Sequence, residues 1–221
     1  DNNTGGIFRT VTSEQGSETT LFADLEALNY TAGQLLTTDQ EDCSYGNEVG
    51  RIGLGGIALS ADEEKIYVVN IDRGSVIALP SKAPTYAQMK EYPVADPGCI
   101  GGEFKLFALK YHQGSLYVGG TCTAEGSQDQ NDLTVHIFEL NPENGDTKEI
   151  FSTSYPKGYW YDSPADGQLT AHWLTDIEFT RQGNMVISLS DRSAHRYCGN
   201  GQILNQFPDI LMVWKDKDGN W

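Results

Sequence analysis

The sequence contains no apolar run near the roughly 18–20 residues that span a bilayer. Its four cysteines form no Cys-x-x-Cys pair, and His-Glu-x-x-His, Gly-x-Ser-x-Gly and P-loop patterns are all missing. The first absence argues against a transmembrane segment and the second against a zinc site of common spacing. The third removes the signatures of zinc proteases, α/β-hydrolases and P-loop NTPases. Cations are also scarce: 15 Lys and Arg stand against 31 Asp and Glu, a formal net charge of -16. A surface of that sign repels phosphate backbones, which argues against a nucleic-acid partner. The N-terminus, Asp1-Asn2-Asn3-Thr4, carries no signal-peptide pattern, as expected of a mature or excised piece. Long amphipathic helical patterns are missing as well.

What is present is enough apolar material for a sizeable core, 38% of 221 residues, arranged in short strand-like runs. Gly, Asn, Asp and Pro punctuate them, the pattern of an all-β chain. One unit repeats. Gly56–Ser60 followed by Lys65–Asn70 returns as Phe107–Lys110 followed by Ser115–Gly120, and again as Asp176–Thr180 followed by Asn184–Leu189. A third strand follows each copy, at Ser75–Leu79, Thr134–Leu140 and Ile210–Trp214, and a fourth follows the first two, at Lys90–Val94 and Lys148–Ser152. Four antiparallel strands recurring every 50 to 70 residues or so are the pattern of a β-propeller blade. Gly6–Val11 and Thr20–Leu25 read as the outer strands of a preceding blade, so residues 1–28 form a half-blade and 29–221 three blades, the last incomplete. Closed propellers need roughly four blades. The expectation is therefore an incomplete propeller, completed by missing sequence, a second chain or a copy of itself, with an incomplete sandwich of about 13 strands as the structural alternative.

Four cysteines allow three pairings. Cys99 lies in a turn before one strand and Cys122 ends the next, so antiparallel pairing favours Cys99–Cys122 and leaves Cys43–Cys198. An even count in an acidic, Gly-rich chain points to an extracellular setting; free cysteines in a cytosolic protein are the alternative. Asn2 and Asn29 head Asn-x-Thr sequons that matter only on a eukaryotic secretory route.

The blade segments resemble the propeller region of large bacterial secreted or surface proteins that typically carry SdrD B-like repeat domains. The resemblance rests on Val49–Ser60, Ile66–Asn70, Asp96–Cys99, Phe107–Tyr111, Leu116–Gly119, Cys122, Ser154–Gly158, Leu174–Phe179, Asp191-Arg192 and His195, and spans about Gly5 to His195. The family's Gly-Leu-Gly-Asp carboxylate is Gly56 here. The resemblance implies a secreted or surface-attached propeller and no defined activity.

Candidate chemistry is sparse. Asp176 opens the channel-lining strand of its blade, and Asp191 and His195 follow the second strand; oxygen ligands around a channel suit Ca²⁺. Against that, Asp191-Arg192 also reads as a turn ion pair and Asp176 as a strand cap. Asp39, Glu41 and Asp42 cluster beside Cys43. Asp216–Asn220 resembles part of a calcium loop but lacks its distal Glu, and reads as a hairpin turn. His136 reads as a structural strand residue and His112 as an exposed turn residue. The long loop ending at the third repeat offers Tyr159, Trp160, Tyr161, His172 and Trp173 for stacking on a glycan or gripping a protein ligand; wedging of Trp160 and Trp173 between blades is the alternative. The expected role is non-catalytic binding, adhesion or assembly. The rivals are a calcium-dependent hydrolase or lactonase and a structural subunit of an extracellular filament or sheath.

Overall fold

The computed structural model describes residues 5–33, 50–155, 172–191 and 209–221, with Asp191 described in its backbone only. Cys43, Cys198, Asp39, Glu41, Asp42, Tyr159, Trp160, Tyr161, Arg192 and His195 lie outside the described residues. The protein is all-β, built of antiparallel sheets. A two-stranded hairpin, β1 (Gly6–Ser13) and β2 (Gly16–Asp24), comes first. Sheet I runs in sequence order through β3 (Leu54–Leu59), β4 (Lys65–Asn70), β5 (Ser75–Pro80) and β6 (Lys90–Pro93). Sheet II repeats the order with β7 (Phe104–His112), β8 (Ser115–Cys122), β9 (Thr134–Leu140) and β10 (Thr147–Ser154). Sheet III has three strands among the described residues, β11 (His172–Phe179), β12 (Met185–Asp191) and β13 (Asp209–Val213). No helix among the described residues is long and apolar enough to cross a membrane.

Alternation within the strands gives each sheet two apolar faces, and the core forms where successive sheets meet. Tyr67, Val69, Val76 and Tyr92 of sheet I pack on Leu106, Leu109, Leu116 and Phe138 of sheet II. Ala108, Val135 and Ile137 of sheet II pack in turn on Ile177, Met185, Ile187 and Leu189 of sheet III. The base of the hairpin, through Ile7, Ala23 and Leu25, covers Val68, Ile77 and Leu79 on the other face of sheet I. The same rule operates at each step: one face of a sheet meets the opposite face of the next.

Each first strand carries a register shift at the same place, between Leu54 and Ile57, between Leu106 and Ala108, and between Leu174 and Asp176. Such bulges re-aim the side chains beyond them and increase local twist. The outer strands are pinned by polar clamps. Glu91 on β6 accepts from Arg73 Nε and Nη2 at 2.7 and 2.8 Å and from the Ser75 hydroxyl at 2.7 Å. Glu149 on β10 bonds His136 Nδ1 at 2.7 Å, while Thr134 Oγ1 lies 2.7 Å from Nε2, so His136 is satisfied inside its sheet. His112 is not the exposed turn residue expected: it ends β7, half-buried and stacked on Phe179 with ring centres 4.0 Å apart. Asp216 accepts the backbone N–H of Asp218 and Asn220, which turns the chain after β13 and holds its carboxyl below the usual range.

Cys99 and Cys122 form a disulfide with Cα atoms 5.3 Å apart. It closes the 95–103 loop onto the end of β8, and Gly126 and Ser127 add N–H bonds to the Gly101 carbonyl at 2.6 and 2.9 Å. A cross-link 23 residues apart removes loop-closure freedom from the unfolded chain. Replacing both cysteines by serine is expected to cost about 3 kcal/mol, read as a lower denaturation midpoint. The Glu91 carboxyl is held below its ordinary range first by the Arg73 guanidinium and then by the Ser75 hydroxyl. Its contribution is present above the unfolded carboxylate value of about 4.3 and is lost as pH falls through the lower folded value. Glu91→Gln is expected to be less stable than wild type at neutral pH, with the gap closing below about pH 4, as pH-dependent melting would measure.

Candidate functional site

The first strands β3, β7 and β11 lie next to one another, because the apolar faces of sheets I, II and III stack in sequence. Where they meet, a cleft of about 480 Å³ opens. Ile57 and Leu59 of β3 and Leu109 and Tyr111 of β7 form its apolar walls. Its polar groups are Lys110 on β7 and Asp176 and Glu178 on β11. Ile57 and Leu59 on β3 are more than half exposed, large aliphatic surface that faces the cleft.

Lys110 Nζ donates to Glu178 Oε1 at 2.5 Å, bridging sheets II and III. That pair is formally neutral, so Asp176 supplies the net negative charge of the cleft. Asp176 is exposed, and its Oδ1 accepts the neighbouring Ile177 N–H at 2.9 Å. Apolar walls beside one exposed carboxylate suit a ligand with an apolar body and a donor or cationic head. Sequence reasoning singled out Asp176 but missed Lys110 and Glu178. The signal was available, since each is a charged residue flanked by apolar residues on both sides within its strand.

The structure places the other candidates elsewhere. Asp176 pairs with Ser188 across the ladder, whereas Asp191 pairs with His172, three strand positions or roughly 10 Å away. Among the described residues, no group of three His, Cys, Asp or Glu side chains is arranged to hold a metal ion. His172 and Trp173 are buried at the start of β11. The Thr121 hydroxyl donates to the His172 carbonyl at 2.6 Å, and the Tyr155 ring meets the imidazole edge-on at 4.9 Å. Trp173 stacks on Phe107 of β7 with centroids 5.1 Å apart, wedged between sheets II and III.

A second constellation surrounds the disulfide. Arg51, just before β3, pairs with Glu125 in the loop after β8. That loop thus joins sheet I to sheet II, and Cys122 Sγ lies 3.6 Å from His136 Nε2.

With this geometry in view, no family model matches the sequence. Among curated proteins, Colossin-C of Dictyostelium discoideum is 25% identical over 216 residues, covering 90% of this chain and 21% of that protein. Colossin-B of the same organism is 25% identical over 205 residues, covering 79% of this chain and 5% of that protein. The chain thus spans about a fifth and about a twentieth of these relatives. Among solved structures, a periplasmic gluconolactonase of Pseudomonas aeruginosa is similar at 15% identity and a TM-score of 0.35, over 95% of this chain and 57% of that one. The tail fiber of Staphylococcus aureus phage P68 is similar at 10% identity and a TM-score of 0.41, over 96% and 40%.

The wedge depends on Gly50. Its φ is 75°, and a methyl group there would run into the Trp173 indole. Gly50→Ala is expected to destabilise the protein by about 1–3 kcal/mol and to shift Trp173 emission as the ring leaves its seat on Phe107, measured by urea unfolding followed by fluorescence.

Proposed function

We propose that the chain is part of a β-propeller that acts outside the cell by binding and assembly rather than by catalysis. Its sheets are completed by further sequence, a second chain or another copy. The observation that carries this reading is an exposed apolar stripe on sheet III. Val76, Ile137 and Ile210 occupy the same place on the third strand of their sheets, opposite Val69, Gly119 and Ser188. Val76 and Ile137 are fully buried by the following sheet, whereas Ile210 is 74% exposed. Met212 and Trp214 are exposed on the same side. A stripe of that kind marks an interaction surface.

The sequential packing of sheets I, II and III through their first strands supports the propeller arrangement. The Cys99–Cys122 disulfide and the net charge of -16 support an extracellular setting. The resemblance to large surface proteins fits a module within a longer assembly, with adhesion or a filament as its use. A calcium-dependent hydrolase or lactonase is the second reading, and it draws on exposed Asp176 beside the Lys110–Glu178 pair. Lactone hydrolysis that requires added calcium and is abolished in Asp176→Asn would replace the first reading by the second.

The direct test is native mass spectrometry of the non-reduced protein isolated from the organism that makes it. The expected result is a mass above that of these 221 residues, either as one longer polypeptide or as a complex that dissociates on denaturation. A solitary, stably folded monomer of these 221 residues alone would overturn the assembly reading.

A further inference from the structure

We infer that the Cys99–Cys122 disulfide is a site of thiol–disulfide exchange, in which a small external thiol attacks Cys99 and Cys122 departs as a thiolate toward His136. The inference goes beyond the assembly reading and does not depend on it.

The two sulfurs stand in different surroundings. Cys99 sits in the 95–103 loop, partly exposed between exposed Gly98 and Ile100. Its backbone N–H and that of Gly98 both donate to Asp96 Oδ1, at 2.9 and 2.7 Å, so the turn that presents it is fixed. Cys122 ends β8, 2% exposed, with Phe104 of β7 and Thr134 of β9 as its partners on either side. An attacking thiolate therefore reaches Cys99, and Cys122 is the leaving group. Exchange is faster when the leaving thiolate is stabilised. A thiolate buried without a partner is disfavoured, whereas one beside an imidazolium is favoured.

That partner is in place. His136 Nε2 lies 3.6 Å from Cys122 Sγ and 2.7 Å from Thr134 Oγ1. Glu149 Oε1 accepts from Nδ1 at 2.7 Å, which fixes the ring and keeps a proton on that nitrogen. Phe104 meets the ring edge-on at 5.7 Å. Glu149 and Thr134 already satisfy both ring nitrogens, so the approach to sulfur is additional to what a structural histidine requires. Glu149, His136 and Cys122 follow one another across β10, β9 and β8, the order carboxylate, imidazole, sulfur of an activated thiol, here held as a disulfide.

The step balances without an added oxidant. A sulfur–sulfur bond forms between the incoming thiolate and Cys99 Sγ while the Cys99–Cys122 bond breaks, its electron pair staying on Cys122 Sγ. The proton shed by the incoming thiol passes through solvent to His136 Nε2, and the resulting N–H donates to the new thiolate. One disulfide is consumed and one is made.

The probe is reduced glutathione, added to the intact folded chain, with thiols trapped by alkylation and located by peptide mass mapping. Only adducts on Cys99 and Cys122 are counted, which keeps Cys43 and Cys198 out of the reading. The expected first product carries glutathione on Cys99 and a free thiol on Cys122. His136→Gln is expected to form it about tenfold more slowly, whereas loosening of sheet II alone would speed it. Glu149→Ala is expected to slow it by less, and Glu149→Gln, which keeps an acceptor at Nδ1, to recover most of the rate. Glutathione on Cys122 as often as on Cys99, no exchange before the chain unfolds, or an unchanged or faster rate in His136→Gln would overturn the inference. If the variants do not fold, the position of glutathione on the wild-type chain decides alone.

Discussion

The fold depends on how closely the first strands of adjacent sheets approach. Gly55 and Gly56 of β3 lie against the Phe107 carbonyl and the Leu109 amide of β7, and a Cβ at either position would stand 2.7–2.8 Å from those backbone atoms. Two strands can pack that tightly only when one gives up its side chains. This close approach is why position 56 is glycine. An acidic side chain at this place would have to force β7 away, and the Tyr67–Leu109 core between sheets I and II would open with it. Negative charge where the first strands meet comes instead from sheet III, from Asp176 and Glu178, where the bulge after Leu174 turns β11.

The strands were legible in the sequence because their residues alternate or run apolar between short polar turns, as Lys65–Asn70 and Thr134–Leu140 do. What the pattern missed lies at the bulges. Reading by alternation placed the first strands at Gly56, Phe107 and Asp176, yet they begin at Leu54, Phe104 and His172. The shifts between Leu54 and Ile57, Leu106 and Ala108, and Leu174 and Asp176 break the period of two, so the earlier residues fall out of phase with the later ones. His172 and Trp173 were read as loop aromatics for that reason, although they are the buried start of β11. His112 was misread by a different route: its partner Phe179 is 67 positions away, and nothing local announces a stacking contact. The same holds for Lys110 and Glu178, which join across sheets with a separation of 68 residues.

Charge contributes little to holding the molecule together and much to what it can meet. Arg73, Lys105, Lys110, Lys82 and Arg51 are each paired with a glutamate in the chain. Most of these pairs are partly exposed, and such contacts are typically worth no more than about 1 kcal/mol. Stability therefore resides in the stacked apolar faces and the disulfide. Pairing the few cations internally leaves the excess carboxylates facing outward. The resulting negative field raises the encounter rate of cationic partners and suppresses acidic ones, and it weakens with salt.

That division of labour matters most at sheet III. Ile210, Met212 and Trp214 are exposed on β13 and just beyond it, and among the described residues β13 is bonded only to β12; an apolar stripe beside a strand edge is the usual hazard for unwanted strand pairing. Sheets I and II avoid it by placing β6 and β10 over their third strands and locking them with Glu91 and Glu149. On β13 the place of Ser75 and His136 is held by Asp209, whose carboxylate accepts the Tyr155 hydroxyl where the chain leaves sheet II, so this end of β13 is tied back to sheet II.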